Sequence, residues 1–173
     1  MRLILFLLFF SSAAAAQTYP DPQTTTVNDF ADLLAAPEEV SLSKQLDRLR
    51  HETGVEMTVV TLARKSDYSQ NQTLEQFATG LFNNWGIGNA TRNDGVLILV
   101  LRDDREMRIE LGAAYARTWD STARHIVNSD FLPAFKNGDY PNGIKTGTKA
   151  VIDDIIMPFR AGEDSPVKSQ DDE

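Results

Sequence analysis

Cysteine is absent from the 173 residues, and histidine occurs only at His51 and His125. The first absence excludes disulfide scaffolds, thiol nucleophiles, Fe–S clusters and cysteine-ligated zinc. The second leaves a zinc site or a histidine-based nucleophile triad short of parts, because neither histidine has a second one at helical spacing. Runs of Lys and Arg are also missing. With 17 basic against 25 acidic residues the net charge is −8, so no cluster is at hand to displace counterions from phosphates, and no nucleic-acid partner is expected.

Long apolar runs are confined to the N-terminus. Leu3–Phe10 follows the single charge of Arg2 and precedes Ala14-Ala15-Ala16, the layout of a signal peptide with a small-residue cleavage site. The run falls short of the roughly 20 residues that span a bilayer. It predicts a signal peptide over 1–16, cleavage after Ala16, and a periplasmic or secreted location. Further on, Ile152–Phe159 is interrupted by Asp153, Asp154 and Pro158, so no membrane span is predicted in the mature chain.

Carboxylate oxygen is what the chain has in excess. Residues 17–26, with Pro20, Pro22 and a threonine run, read as an extended leader, and 161–173 as a disordered acidic tail. One folded domain remains, over 27–160. Leu42, Leu46 and Leu49 with Gly54 beyond them predict a helix over 41–53. The β-branched stretch 55–62 predicts a strand. Leu74, Phe77, Ala78, Leu81, Phe82 and Trp85 mark an amphipathic helix. Val96–Leu101 is apolar throughout, as in a strand covered on both faces, and the alternating 106–111 predicts a half-exposed strand paired with it as an antiparallel hairpin. The helix between 55–62 and 96–101 fits a parallel crossover. Further helices are expected from near Asp120 and over about 144–155, the latter ended by Pro158. The fold class predicted is α/β, a three-layer sandwich with a small mixed sheet and helices on both faces.

In the segments VNDFADLL (27–34), TGVEMTVVTL (53–62), LFNNWGIGNATRNDGVLILVLRDDREMRIELG (81–112), RTWDSTARHIV (117–127) and FLPAFKNGDYPNGI (131–144), the chain resembles the TPM domain, also called the TPM phosphatase domain. The most specific part runs from Trp85-Gly86-x-Gly88 through Asn93-Asp94-Gly95. The resemblance implies an exported or lumenal α/β sandwich whose acidic groove takes Ca2+, or another divalent cation such as Mg2+. It also brings a phosphatase label, and a role beside envelope or membrane protein complexes in assembly or repair.

A strand rises about 3.3 Å per residue, so Asp94 and Asp103 lie on the order of 20 Å apart and cannot share an ion. Asp94's end of the sheet is expected to collect Gly54, Gly86–Gly88, Gly112 and the chain leading to Asp120, and Asp29 is expected to close the same region. The candidate metal ligands are therefore Asp29, Asp94 and Asp120, with Asn93 and loop carbonyls as neutral donors, positions that match acidic positions of the family. Each also has a plainer reading: a turn at Asp29, an Asp-Gly turn at Asp94, a helix cap at Asp120. Asp103 and Asp104, between Arg102 and Arg105, form a second acidic candidate that also reads as a charged hairpin tip. GIGNATRNDG leads into a strand rather than a helix and so cannot cradle a pyrophosphate. Two functions compete: a cation-occupied binding or assembly accessory module, and a weak metal-dependent phosphomonoesterase. No residue is assigned a catalytic role.

Overall fold

A computed structural model describes residues 19–162 of the chain. The expected signal peptide, the first two leader residues and the tail beyond Gly162 lie outside the described residues. The chain forms one four-stranded sheet in the order β1-β2-β3-β4, made of β1 (Val27–Asp29), β2 (Met57–Leu62), β3 (Val96–Leu101) and β4 (Glu106–Leu111). The first three strands are parallel and the fourth is antiparallel. Every residue of β2 and β3 is buried, as their apolar and β-branched composition requires of central strands.

Two helices connect the parallel strands. α1 (Ala36–Thr53) begins five residues before the periodic leucines announce it, because Pro37 opens the first turn and Glu38 accepts the Ala35 N–H at 2.8 Å. Gly54, at φ 75°, closes it. α2 (Leu74–Trp85) carries a full capping box between Thr73 and Gln76. α1 packs with Val27, Met57 and Val59 on one face of the sheet, whereas α2 packs with Val60, Leu62, Leu97 and Leu99 on the other. Both connections step one strand in the same direction across the sheet, so helices on opposite faces give them opposite hands. One of the two therefore departs from the right-handed rule for parallel crossovers.

The remaining helices cover α1's face. α3 (Trp119–Ile126) passes through a π-helical stretch at Val127–Phe131 into α4 (Leu132–Lys136). α5 (Tyr140–Val151) passes through another at Ile152–Ile156 into α6 (Met157–Ala161). Pro158 does not end the run, as its sequence position predicts. It falls in the first turn of α6, just past the widened π turn, where a missing N–H is tolerated. Trp119, Ile126, Phe131, Ile144 and Ile155 from these helices complete the larger core. Helices thus cover both faces of a mixed sheet, as expected.

The segment expected to be a leader is tied to the domain from Tyr19 onward. The Tyr19 ring lies 5.3 Å from that of Phe77, Trp85 Nε1 donates to the Pro20 carbonyl at 2.8 Å, and the Thr26 carbonyl accepts the Val59 N–H at 2.7 Å. No helix among the described residues is long and apolar enough to cross a membrane.

Candidate functional site

Parallel pairing decides where the acidic residues can meet. Asp29 stands opposite Thr61, and Thr61 opposite Val100. Asp94 precedes the start of β3. Asp29 is thus at the C-terminal end of the parallel strands and Asp94 at their N-terminal end, on the order of 20 Å apart at about 3.3 Å per residue. The expectation that Asp29 closes the Asp94 region is corrected by this register. A helix that returns from β1 to the start of a parallel β2 begins at the far end of the sheet, and Asp29 stays there.

At the N-terminal end the chain is packed backbone on backbone. A Cβ on Gly88 would stand 2.5 Å from the Gly95 nitrogen, one on Gly95 2.3 Å from the Ile87 carbonyl, and one on Gly112 2.1 Å from the Asn93 carbonyl. Asp94 is 1% exposed, and its Oδ2 receives Arg92 Nε at 2.6 Å. The same guanidinium donates to the Gly54 carbonyl at 2.7 Å, and Tyr115 donates to the Asp94 carbonyl at 3.2 Å. Burial, and secondarily the Asp94 charge, push the Tyr115 phenol well above its ordinary range. Asn93, at φ 51°, turns the chain and gives its carbonyl to the Ala114 N–H. Asp94 Oδ1 is buried without a hydrogen-bond partner among the described residues. The hydrogen-bonding partners of Asp94 are Arg92 and, through its carbonyl, Tyr115, and the glycine segments pack beside it.

Asp120 belongs to neither end. It lies exposed in the first turn of α3, with Thr118 rather than Asp120 at the cap position, and lines a groove beside β4 together with Arg108 and Arg124.

The C-terminal end gathers the other acids. Asp29 organises the loop after β1: Oδ1 accepts the Leu33 N–H at 3.1 Å, Oδ2 accepts the Leu34 N–H at 2.7 Å, and the Thr61 hydroxyl donates to it. Thr61 Oγ1 in turn accepts the Ala31 N–H at 3.1 Å. Asp32 follows in the left-handed region, at φ 54°. Across the gap, Asp103 accepts from Arg102 Nε at 2.8 Å and from Arg64 Nε at 3.1 Å, while Asp104 accepts the Lys65 N–H at 2.8 Å. The hydrogen bond from Arg102 is the main reason the Asp103 carboxyl is held below the usual carboxylate range. Arg102 Nη1 also donates to the Ala31 carbonyl at 2.6 Å. One guanidinium therefore bridges the β1 loop and the β3–β4 turn.

Beside this cluster opens a cleft of about 500 Å³ with Leu101, Met107, Leu132 and Phe135 on its walls and Arg105, Lys136 and Tyr140 at its rim. Sequence reasoning passed over Thr61 and Lys136, and met Arg102 only as a flank of the acidic hairpin tip. A threonine within the apolar run VVTL was the one visible signal, since a hydroxyl in a central strand requires a partner.

The donors suited to a hard divalent cation at this end are the Asp103, Asp104 and Asp32 carboxylates and the Ala31 carbonyl, an all-oxygen set. Among the described residues no three His, Cys, Asp or Glu side chains converge closely enough to hold an ion. The charge among these oxygens belongs to Arg102. The donor types are those of a hard cation, the carboxylates do not converge on one point, and the guanidinium occupies the place between Asp103 and the Ala31 carbonyl.

The fold recurs in solved structures. The N-terminal domain of a Porphyromonas gingivalis protein (P.gingivalis) is similar at a TM-score of 0.64 and 29% identity, over 75% of this chain and 83% of that one. The N-terminal domain of the cg2496 protein from Corynebacterium glutamicum matches at 0.57 and 15% identity, over 78% and 86%. The BA42 protein from Bizionia argentinensis matches at 0.52 and 22% identity, over 68% and 77%. The last two likenesses concern the fold alone. No curated protein matches the chain. The TPM domain family matches residues 27–154, from the first residue of β1 into the second π turn. With nearly all of the sheet-and-helix sandwich inside that match, the chain belongs to the TPM domain family.

Proposed function

We propose that this TPM-domain protein is an exported module that binds a divalent cation, Ca2+ or another such as Mg2+, on the loops at the C-terminal end of its parallel strands. It serves there as a binding or assembly and repair accessory in the cell envelope. The observation that supports the reading is the position of Arg102, whose guanidinium bridges the Ala31 carbonyl and the Asp103 carboxylate. A side-chain cation between a carbonyl and a carboxylate marks a place where positive charge is favourable. A divalent ion taking that place meets the Asp103 carboxylate and the Ala31 carbonyl, with Asp104 and Asp32 on the same two loops beside them, while Arg102 turns toward solvent. Asp29 contributes by holding the loop rather than by touching the ion.

Calcium titration followed by NMR tests this. The amides of residues 31–34 and 102–105 shift on binding, and those of Asn93, Asp94 and Gly95 do not. An unchanged spectrum up to millimolar Ca2+ overturns the reading. Export is checked separately, by the N-terminal sequence of the protein recovered outside the cytoplasm, which begins at Gln17.

One observation favours a second reading, a weak phosphomonoesterase. Arg105 and Lys136 rim the cleft next to the acidic turn, and phosphoryl transfer needs positive charge where the transition state spreads negative charge. Hydrolysis of a generic phosphomonoester that disappears in both Asp103→Asn and Lys136→Ala proteins supports it. Equal rates in all three preparations point to a contaminant.

A further inference from the structure

The edge formed by β4 is six residues long, against three for β1. The Gly112 N–H donates to the Gly95 carbonyl at 2.9 Å, which sets the alternation along the hairpin. Glu106, Arg108 and Glu110 exchange hydrogen bonds with β3, whereas Met107, Ile109 and Leu111 turn their N–H and C=O groups outward. Among the described residues nothing bonds to those outward groups. Beside them runs a groove of about 360 Å³, bordered by Glu75 of α2 and by Asp120 and Arg124 of α3. An unpaired edge is a template for another strand unless it is covered.

We propose that β4 pairs with β4 of a second copy about a two-fold axis, joining the two sheets into one. Outward-facing residues must oppose one another for their backbone groups to bond, which limits the registers. Centred on Arg108, the pairing sets Arg108 against itself and Glu106 against Glu110. Centred on Glu110, it sets Glu110 against itself and leaves Met107 unpaired. Centred on Ile109, it sets Arg108 against Glu110 twice, Met107 against Leu111 twice, and gives every outward N–H and C=O a partner. Unlike charges fall on one face of the joined ribbon and apolar side chains on the other, the cross-strand pairs that stabilise antiparallel sheets. Arg108 already holds Glu110 of its own strand at 2.6 Å, so at the two-fold each guanidinium lies between two carboxylates. Like charges opposed in the alternative registers disfavour them. The helix bordering the groove carries Asp120 and Arg124 one turn apart, opposite charges that a two-fold axis exchanges. This pairing is independent of the cation reading, since β4's outward edge contains none of its ligands.

Sedimentation of the full exported chain from micromolar to millimolar concentration is the test, joined to amide hydrogen exchange. The mass doubles with concentration, and the Met107, Ile109 and Leu111 amides exchange about tenfold more slowly in the concentrated sample. Arg108→Glu and Glu110→Arg proteins are each monomeric where the wild type is dimeric. Mixing the two restores the dimer, because each variant then meets opposite charge across the axis, a rescue that no effect within one chain can produce. A wild type that stays monomeric with concentration-independent exchange overturns the proposal, and so does a dimer indifferent to both charge reversals. Should a variant fail to fold, exchange at the three wild-type amides decides alone.

Discussion

At the start of β3 the chain buries a carboxylate, Asp94, and answers it with one arginine; past the end of the same strand it exposes a carboxylate, Asp103, and answers it with two. Around Asp94 the glycines at 88, 95 and 112 let backbones touch, because a Cβ at any of them would collide with a neighbouring segment. Around Asp103 the partners are long, half-exposed side chains that can move aside for a ligand. Residue type does not separate the two places, since each pairs Asp with Arg. Accessibility does: a charge sealed against backbone holds the fold, and a charge on a solvent-facing loop is available for exchange.

Mutations at the two ends test the contrast, and the largest effect belongs to the glycines. Gly112→Ala drives a methyl into the Asn93 carbonyl and is expected to destabilise the protein by about 3 kcal/mol, read as a lower urea midpoint. A midpoint unchanged in this variant would falsify the view of that end as a packed knot. Arg92→Met leaves Asp94 buried without its counter-charge. Loss of one partner of a buried pair costs about 3–5 kcal/mol, and because Arg92 is itself 43% exposed the expected loss is about 2 kcal/mol. Asn at 94 in the same protein recovers part of it. At the opposite end, Asp29→Ala removes the acceptor for Leu33, Leu34 and Thr61, and is expected to cost about 1–2 kcal/mol while loosening amide protection across residues 31–34. Smallest in stability and largest in binding is Arg102→Gln. Its urea midpoint matches wild type, and Ca2+ binds several-fold more tightly because no guanidinium has to leave; calorimetric titration compares the two. Weaker Ca2+ binding in that protein sinks the displacement model.

Acid separates the ends as well. Asp103 has its carboxyl lowered in the folded state from the ordinary 3.8, so its contribution is present above that pH and disappears as pH falls through the lowered value. Salt weakens it too, since the pair is exposed. Amide exchange at residues 102–105 in an acid titration follows this loosening, which Asp103→Asn shows already at neutral pH.

The strands β2, β3 and β4 and the helix α2 could be read from the chain alone because each is written in uninterrupted apolar residues or in a single clean period. β1 could not: Val27-Asn28-Asp29 is too short for alternation to register, and it is a strand only because β2 offers an unpaired edge and Asp29 is pinned by Thr61. The first turn of α1 hides behind Pro37, Glu38 and Glu39, which cap rather than pack. Past Val127 the helical period slips where π turns insert an extra residue per turn, so Pro158 looks like a stop and is not. For the site, the strand-length argument that separates Asp94 from Asp103 holds, because it rests only on residue rise. The grouping of Asp29 with Asp94 does not, because it depends on the direction of a strand the sequence does not announce. Asp94 itself shows why a carboxylate near an arginine is ambiguous in sequence: an exposed acid and a buried counter-ion are spelled alike, each with an arginine within two residues, and only burial tells them apart.

The knot of glycines bears on what kinship can mean here. The stretch from Trp85 to Gly95, by which the chain is most easily recognised as kin to other TPM domains, encodes close contact between three backbone segments and contains none of the exposed carboxylates at the far end. Selection on such a stretch preserves a shape whatever the molecule does with it. On the proposed reading the loops that meet the ion lie outside that stretch, so its presence in a relative carries no information about them. Whether two members share an activity is therefore a question to ask of residues 31–34 and 102–105, where the signature is silent.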